Sequence, residues 1–337
     1  MKLYCQNDNI KTEITDFTGR IGLVSDMDQV AEVLSFTVAY SEKDSKFYPE
    51  NPVIIGSLVM LEDDDGAEEF RGLVKTLSRS LHGDVTYQCY DYLDYLKRNK
   101  EVFQFDNIIV SDCIELIFNH YDVDFRMTSE LGSVIDKWYY SQTPLEIIKD
   151  LIEFETQNTG VDYYMKIVEG KIVITELQDE PFEPNLELYV GDPDKDLYVA
   201  EDFIADSSHS ETIEDLRNTV KVIYQDKPEN SNIISVRTAV TLQDAELVEK
   251  YGLFQEVLEI EPDDISKAEN MAKVMLAKLS AVGVSDGITL LGDLKARAGK
   301  SMILEEPIAG ISGTYYISHA SHEYSGGLHT MKLELKK

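Results

Sequence analysis

Met331-Lys332-Leu333-Glu334-Leu335-Lys336 is the stretch that decides the fold class. Apolar and charged residues alternate strictly, the period of a strand with one buried face and one wet face. A helix with this pattern would scatter its apolar residues around the axis. Met331, Leu333 and Leu335 are therefore expected to close a β core. Working outward, the same period appears near the start of the sequence, where Leu34, Phe36 and Val38 alternate with Ser35 and Thr37. The apolar run from Val53 to Leu61 is broken by Gly56. The acidic turn Glu62 to Gly66 follows, and Phe70 to Val74 returns with Gly72 inside it. This is a meander, read as part of a small barrel or sandwich. Val220, Val222 and Tyr224 alternate again, with further strands expected near 233–240 and 253–260.

Helical spacing lies between these ends. It is expected from about 88 to 98 and from Asp112 to Tyr121, the latter with Asp112 and Glu115 as a capping box. Thr143-Pro144-Leu145-Glu146 is the clearest helix start: Thr143 caps, Pro144 fits the first turn and Glu146 closes the box. Ile147, Ile148, Leu151 and Ile152 then form one apolar stripe, and the helix should stop near Gly160. Tyr163 to Val168 and Lys171 to Leu177 flank Glu169-Gly170, a hairpin signal. Asp179 to Asp196 is acidic and proline-rich and reads as an extended connector. Thr212 to Leu216 reads as a short helical turn. Asp263 or Asp264 is expected to cap a last helix carrying Ala268, Met271, Ala272, Met275 and Leu279. The class is α+β, two β-rich ends around a helix-plus-hairpin middle.

Composition limits the function. The 337 residues hold 31 basic and 63 acidic side chains, a net charge of -32, which repels nucleic-acid phosphate and anionic lipid alike. No stretch is long and apolar enough for a transmembrane helix, and the N-terminal residues show no apolar signal core. Cys5, Cys89 and Cys113 lack metal-binding spacing and cannot all pair, so a reducing cytoplasm is the expected site of synthesis.

Candidate chemistry is thin. Ala298-Gly299-Lys300-Ser301 resembles the end of a phosphate-binding loop, but Leu294 stands where the first glycine belongs and Met302-Ile303-Leu304 reads as a strand. Asp63, Asp64, Asp65 and Gly66 suit a solvated hairpin tip better than a calcium loop. His319, His322 and His329 lie close in sequence, yet His319 and His322 fall on opposite faces of a strand, so they read as surface or cross-strand histidines. His209 sits among serines without a nucleophile elbow. Trp138, beside Tyr139 and Tyr140, would fit a carbohydrate platform or plain packing. The expectation is no catalytic residues, no cofactor and no metal.

Several segments together resemble the XkdQ-like proteins of defective prophages, within the wider group of phage late-control and baseplate hub proteins. They are Tyr87-Gln88-Cys89-Tyr90-Asp91-Tyr92-Leu93, Thr143 to Ile152, Ser210 to Tyr224, and Tyr251-Gly252-Leu253-Phe254-Gln255. The closing Gly313-Thr314-Tyr315-Tyr316-Ile317, Ser321-His322 and His329-Thr330-Met331-Lys332-Leu333 match best. No fused lysozyme or peptidase segment is visible. The resemblance implies two small tube-like β-barrel domains, residues 1–90 and 206–337, around a middle α+β domain and connector at 91–205. It implies a homotrimer that joins a sixfold tail tube protein to a threefold central spike protein among other baseplate proteins, with no specific nucleic-acid binding and no membrane insertion. Such a chain is made in the bacterial host cytoplasm and assembled into the tail baseplate of a virion or tail-like particle. The alternatives are a tail-associated cell-wall hydrolase and a carbohydrate- or receptor-binding module.

Overall fold

The structure is a computed structural model, described here for residues 1–27, 29, 31–39, 51–79, 84–168, 171–177, 204–226, 235–306 and 309–336. The acidic connector expected at 179–196 and the turn Glu169-Gly170 lie outside the described residues.

Seven strands come first: β1 (Lys2–Asn7), β2 (Ile10–Glu13), β3 (Thr18–Asp26), β4 (Val33–Val38), β5 (Leu58–Glu62), β6 (Glu68–Ser78) and β7 (Val85–Tyr90). A middle unit follows, with β8 (Glu101–Ile109), α1 (Val110–His120), β9 (Phe125–Met127), β10 (Val134–Gln142), α2 (Pro144–Thr159), β11 (Tyr163–Val168) and β12 (Lys171–Glu176). The last third contains β13 (Ile204–Thr212), β14 (Thr219–Asp226), β15 (Ser235–Gln243), α3 (Ala245–Tyr251), β16 (Gln255–Ile260), α4 (Ala268–Leu279), β17 (Gly283–Leu291), β18 (Ser301–Glu306), β19 (Ile311–Ser325) and β20 (Leu328–Lys336).

The two β-rich ends do not stand apart. One twelve-stranded sheet runs β13-β17-β20-β19-β3-β4-β7-β6-β5-β1-β2, with β18 paired to β19 off this path. Strand β19 makes the junction. Its first half pairs with β18, Met302 opposite Tyr315, and its second half pairs with β3, Ala320 opposite Ser25 and Tyr324 opposite Ile21. A bulge between Ile317 and His319 re-aims the strand between these partners. The two expected barrels are accordingly not closed among the described residues, because the edge that would close the first sheet, β3, is taken by a strand from the far end of the chain.

Each part keeps its own core. Leu3, Phe36, Val59, Phe70 and Tyr87 fill the first; Ile288, Tyr315, Met331, Leu333 and Leu335 fill the last. The C-terminal alternation is realised as expected: Met331, Leu333 and Leu335 are buried while Lys332, Glu334 and Lys336 are exposed. In the middle unit, α1 and α2 cover one face of the β8–β10 ribbon, with Phe105, Ile135 and Tyr139 buried among Ile114, Phe118 and Ile148. Residues 219–226 and 235–279 form a further three-stranded sheet, β15-β14-β16, packed under α4 through Val220, Val222, Met271 and Ala272.

Helix α2 has the expected start. The Thr143 hydroxyl accepts from the Glu146 amide and the Glu146 carboxylate accepts from the Thr143 amide, while Gly160 ends the helix at φ 77°. Other helix expectations need correction. Residues 85–90 are a strand, with Val85, Tyr87 and Cys89 buried, and only Tyr92–Lys97 turns, as a 3-10 helix capped by Asp91. Asp112 caps nothing. Helix α1 begins at Val110, where the amides of Val110 and Ser111 donate to the carbonyls of Ser133 and Leu131. Asp263 and Asp264 lie in a separate 3-10 turn before α4. Helix α3, capped by Asp244, is an element that the apolar spacing of the sequence does not reveal. Residues 213–216 make a turn rather than a helix.

Candidate functional site

A polar cluster lies where the first and last parts meet, and the segment linking β17 to β18 builds it. Asp293 starts the turn by accepting from the Lys295 amide at 2.9 Å. Gly299, at φ 87°, lets its amide reach the Ile317 carbonyl at 2.8 Å; a Cβ there would lie 2.5 Å from the Tyr164 ring. Between them the Ala298 amide donates to the Ser25 hydroxyl of β3 at 3.0 Å. Arg297 reaches across to the first part: Nε lies 3.3 Å from Glu32 and Nη2 3.2 Å from Glu69. Its Nη1 donates to the Leu294 carbonyl. Burial pushes both glutamates above the usual carboxylate range, and Arg297 pulls each back down.

Two histidines lie beneath Arg297. His322 Nε2 is 2.8 Å from the Ala296 carbonyl, which can only accept, so this nitrogen carries the proton. His322 Nδ1 therefore accepts from His329 Nε2 at 3.3 Å. Burial, with Arg297 at 3.4 Å from a nitrogen already protonated, pushes the His322 pKa down to about 3. Both rings are neutral packing elements at pH 7. His319 faces elsewhere and pairs with Asp26 at 3.1 Å.

The Ala298-Gly299-Lys300-Ser301 motif is thus part of a clasp, and a strand follows it. Among the described residues no group of three His, Cys, Asp or Glu side chains is set to hold a metal. Asp63 Oδ1 accepts from the amides of Asp65 and Ala67, which makes it the organiser of the β5–β6 turn, and Asp64 pairs with the Met1 amino group. His209 Nδ1 lies 2.5 Å from buried Asp286, and Nε2 lies 3.6 Å from Glu211. The three cysteines are buried and free. Trp138 and Tyr140 are exposed on β10 with ring centroids 6.0 Å apart, while Tyr139 between them is buried and donates to Asp150 at 2.5 Å.

A cleft of about 860 Å³ lies between α2, α4 and β11, with Lys149, Glu153, Asp162, Asp215, Lys278 and Lys336 among its lining. A glycosidase-type site would need a carboxyl with a raised pKa there. Among the described residues the carboxyls pushed up are Glu32, Glu69 and Asp91, all near the clasp and none in the cleft.

Sequence reading missed the clasp. No spacing links Arg297 to Glu32 and Glu69; only the fold brings them together. Two motifs do explain each other: Asn218 is fully buried, its Nδ2 donating to the Gly252 carbonyl at 2.6 Å and its Oδ1 accepting from the Phe254 amide at 2.9 Å. The asparagine before β14 thereby holds the Tyr251-Gly252 turn.

Residues 21–336 match the family described as YqbQ-like. The chain belongs to the YqbQ-like family. The match spans the strand junction, the clasp, the last core and most of the first. Among curated relatives, YqbQ of Bacillus subtilis strain 168 is 26% identical over 276 residues, 80% of this chain and 78% of that one. The phage-like element PBSX protein XkdQ of the same organism is 24% identical over 312 residues, 91% and 88%. Among solved structures, the 43 kDa tail protein of prophage MuSo2 from Shewanella oneidensis superposes with a TM-score of 0.73 at 11% identity, over 100% of this chain and 98% of that one. The E. coli c3393 protein, a type VI secretion component with structural similarity to the phage T4 tail proteins gp27 and gp5, gives 0.52 at 8% identity, over 94% and 73%. The YqbQ-like fold is therefore shared with phage tail proteins along its whole length.

Proposed function

We propose that this chain is the structural hub of a phage-type baseplate, a trimeric adaptor between the sixfold tail tube and the threefold central spike of a contractile tail or tail-like particle. The observation that carries the reading is the end-to-end likeness to a prophage tail protein, with the relationship to PBSX XkdQ beside it. Each copy brings two β units, residues 1–90 and 206–337, and a middle unit, 91–205; the third segment also carries the β14–β16 insertion. Three copies then offer six β units, which resolves the symmetry mismatch. The units complete their tube-like walls with neighbouring copies. The clasp suits this role, because it fixes one β unit against the other through a part-buried ion cluster.

Tube, spike and other baseplate proteins are the partners. A net charge of -32 supplies carboxylates for a lumen that does not hold passing nucleic acid. Among the described residues no helix is long and apolar enough to cross a membrane. Synthesis in the host cytoplasm followed by assembly into the tail accompanies this reading, and the chain itself performs no catalysis. Cell-wall hydrolysis lacks a raised carboxyl in the cleft, and saccharide recognition rests on Trp138 and Tyr140 alone. Electron microscopy of purified particles tests the proposal: three copies at the tube–spike junction are expected, and placement in fibres or sheath, or six copies, overturns it.

A further inference from the structure

The β8–β10 ribbon has one face buried under α1 and α2 and the other bare. On the outer face Val102, Trp138 and Tyr140 are each more than half exposed, at 57%, 54% and 59%, and Val134 extends the row at 43%. Tyr140 stands opposite Val102 and Trp138 opposite Gln104, so these side chains form one continuous patch. The ribbon pairs with no third strand among the described residues, which leaves both of its edges open. A two-stranded ribbon needs packing against a helix to be stable in water, and α1 and α2 supply it on the inner face alone.

The charges beside the patch say what covers it. Asp136 lies in the bulge between Ile135 and Lys137, facing Asp106 and Asn107 of β8. Asp106 and Asp136 are exposed, and neither carboxylate has an ion-pair or hydrogen-bond partner among the described residues. Lys137, the neighbouring cation, is taken by Asp150 at 2.8 Å. Two like charges across a strand pair oppose the fold. Self-association through this face would press four such carboxylates together.

We propose that this outer face docks an extended, basic segment of a different protein of the particle, one in which apolar residues alternate with lysine or arginine. The apolar side chains cover Val102, Trp138 and Tyr140, and a cation meets Asp106 and Asp136. The inference rests on the hub reading, since it takes the partner from the assembled particle.

The test places a photoreactive benzophenone amino acid at Tyr140 in assembled particles, with irradiation and mass spectrometry of the adduct. The expected product joins this chain to another polypeptide within a lysine- or arginine-rich stretch. Its yield should drop several-fold in a D106N/D136N background, and with rising salt before irradiation, as screening shortens. The double variant should melt no lower than the parent, which separates lost docking from lost folding. Trp138, the sole tryptophan, gives a second check on the isolated chain: its emission should match in parent and double variant. An adduct to a second copy of this chain, an adduct to saccharide, an acidic partner segment, or no adduct from particles that contain the chain overturns the docking proposal alone. Particles without the chain overturn the hub reading and the docking with it.

Discussion

Replacing Arg297 with methionine keeps most of the side-chain volume and removes the charge that Glu32 and Glu69 share. Arg297 is 16% exposed and the glutamates 27% and 19%, so none is well solvated. Breaking a fully buried ion pair by deleting one partner costs about 3–5 kcal/mol; these groups keep some solvent, so the loss belongs at the low end, about 3 kcal/mol. At about 2 °C per kcal/mol for a large chain, the melting point should fall by roughly 6 °C at pH 8. The loss should depend on pH. A carboxyl whose folded pKa is raised adds stability that is complete below its unfolded value, 4.5 here, and lost as pH rises through the folded value. Arg297 holds both folded values down. Without it they climb, and the penalty grows from near nothing at pH 4.5 to its full size at pH 8. Hydrogen exchange should localise the change to residues 21–26 and 319–324, the seam beside the clasp. A loss below about 1 kcal/mol, or one equal at both pH values, would refute the electrostatic account of the clasp.

Three further outcomes are expected. Asp91, buried while accepting from the Glu32 and Leu93 amides, has its pKa pushed up by burial to about 7; its contribution is complete below 3.8 and lost as pH rises through about 7, so Asp91→Asn should flatten the decline in stability from pH 5 to 8 in denaturant titrations. Leu333→Asp buries a carboxylate between Ile288 and Ala320 and should cost several kcal/mol, measured by the same titrations. Asn218→Ala leaves the Gly252 carbonyl and the Phe254 amide without their side-chain partner, at a cost of about 1–3 kcal/mol each where water cannot enter, with faster exchange at Phe254 as the local sign.

What was legible in the sequence is local. Thr143 and Glu146 are three residues apart, and the capping box they form depends on nothing else. Leu333 and its neighbours sort by a two-residue period that any covered sheet imposes. The errors fall where a tertiary partner replaced a local one. Helix α1 needs no side-chain cap because the 131–133 segment supplies carbonyls, and Asp112 misled for that reason. Residues 88–90 fall at the start of the helical spacing expected over 88–98, but β4 and β6 offer ladders on both sides, and pairing prevails. Arg297 was invisible because its meaning lies in Glu32 and Glu69, more than two hundred positions away. The resemblance reached the family, whereas no closed barrel of the kind it implied is formed among the described residues, where β19 gives its second half to β3.

That use of β19 has a consequence for how the protein is made. His319 and Asp26 face each other across 293 positions. A ribosome adds about 5–20 residues per second, so β3 emerges roughly 15–60 s before the strand that covers its edge. The nascent N-terminal unit carries a bare, hydrogen-bonding border through that interval, open to the same border on a neighbouring polysome chain. Polypeptides cut short before residue 319 never cover it. Degraded or prematurely terminated copies should therefore be the ones that aggregate, and late chain completion becomes the checkpoint for solubility.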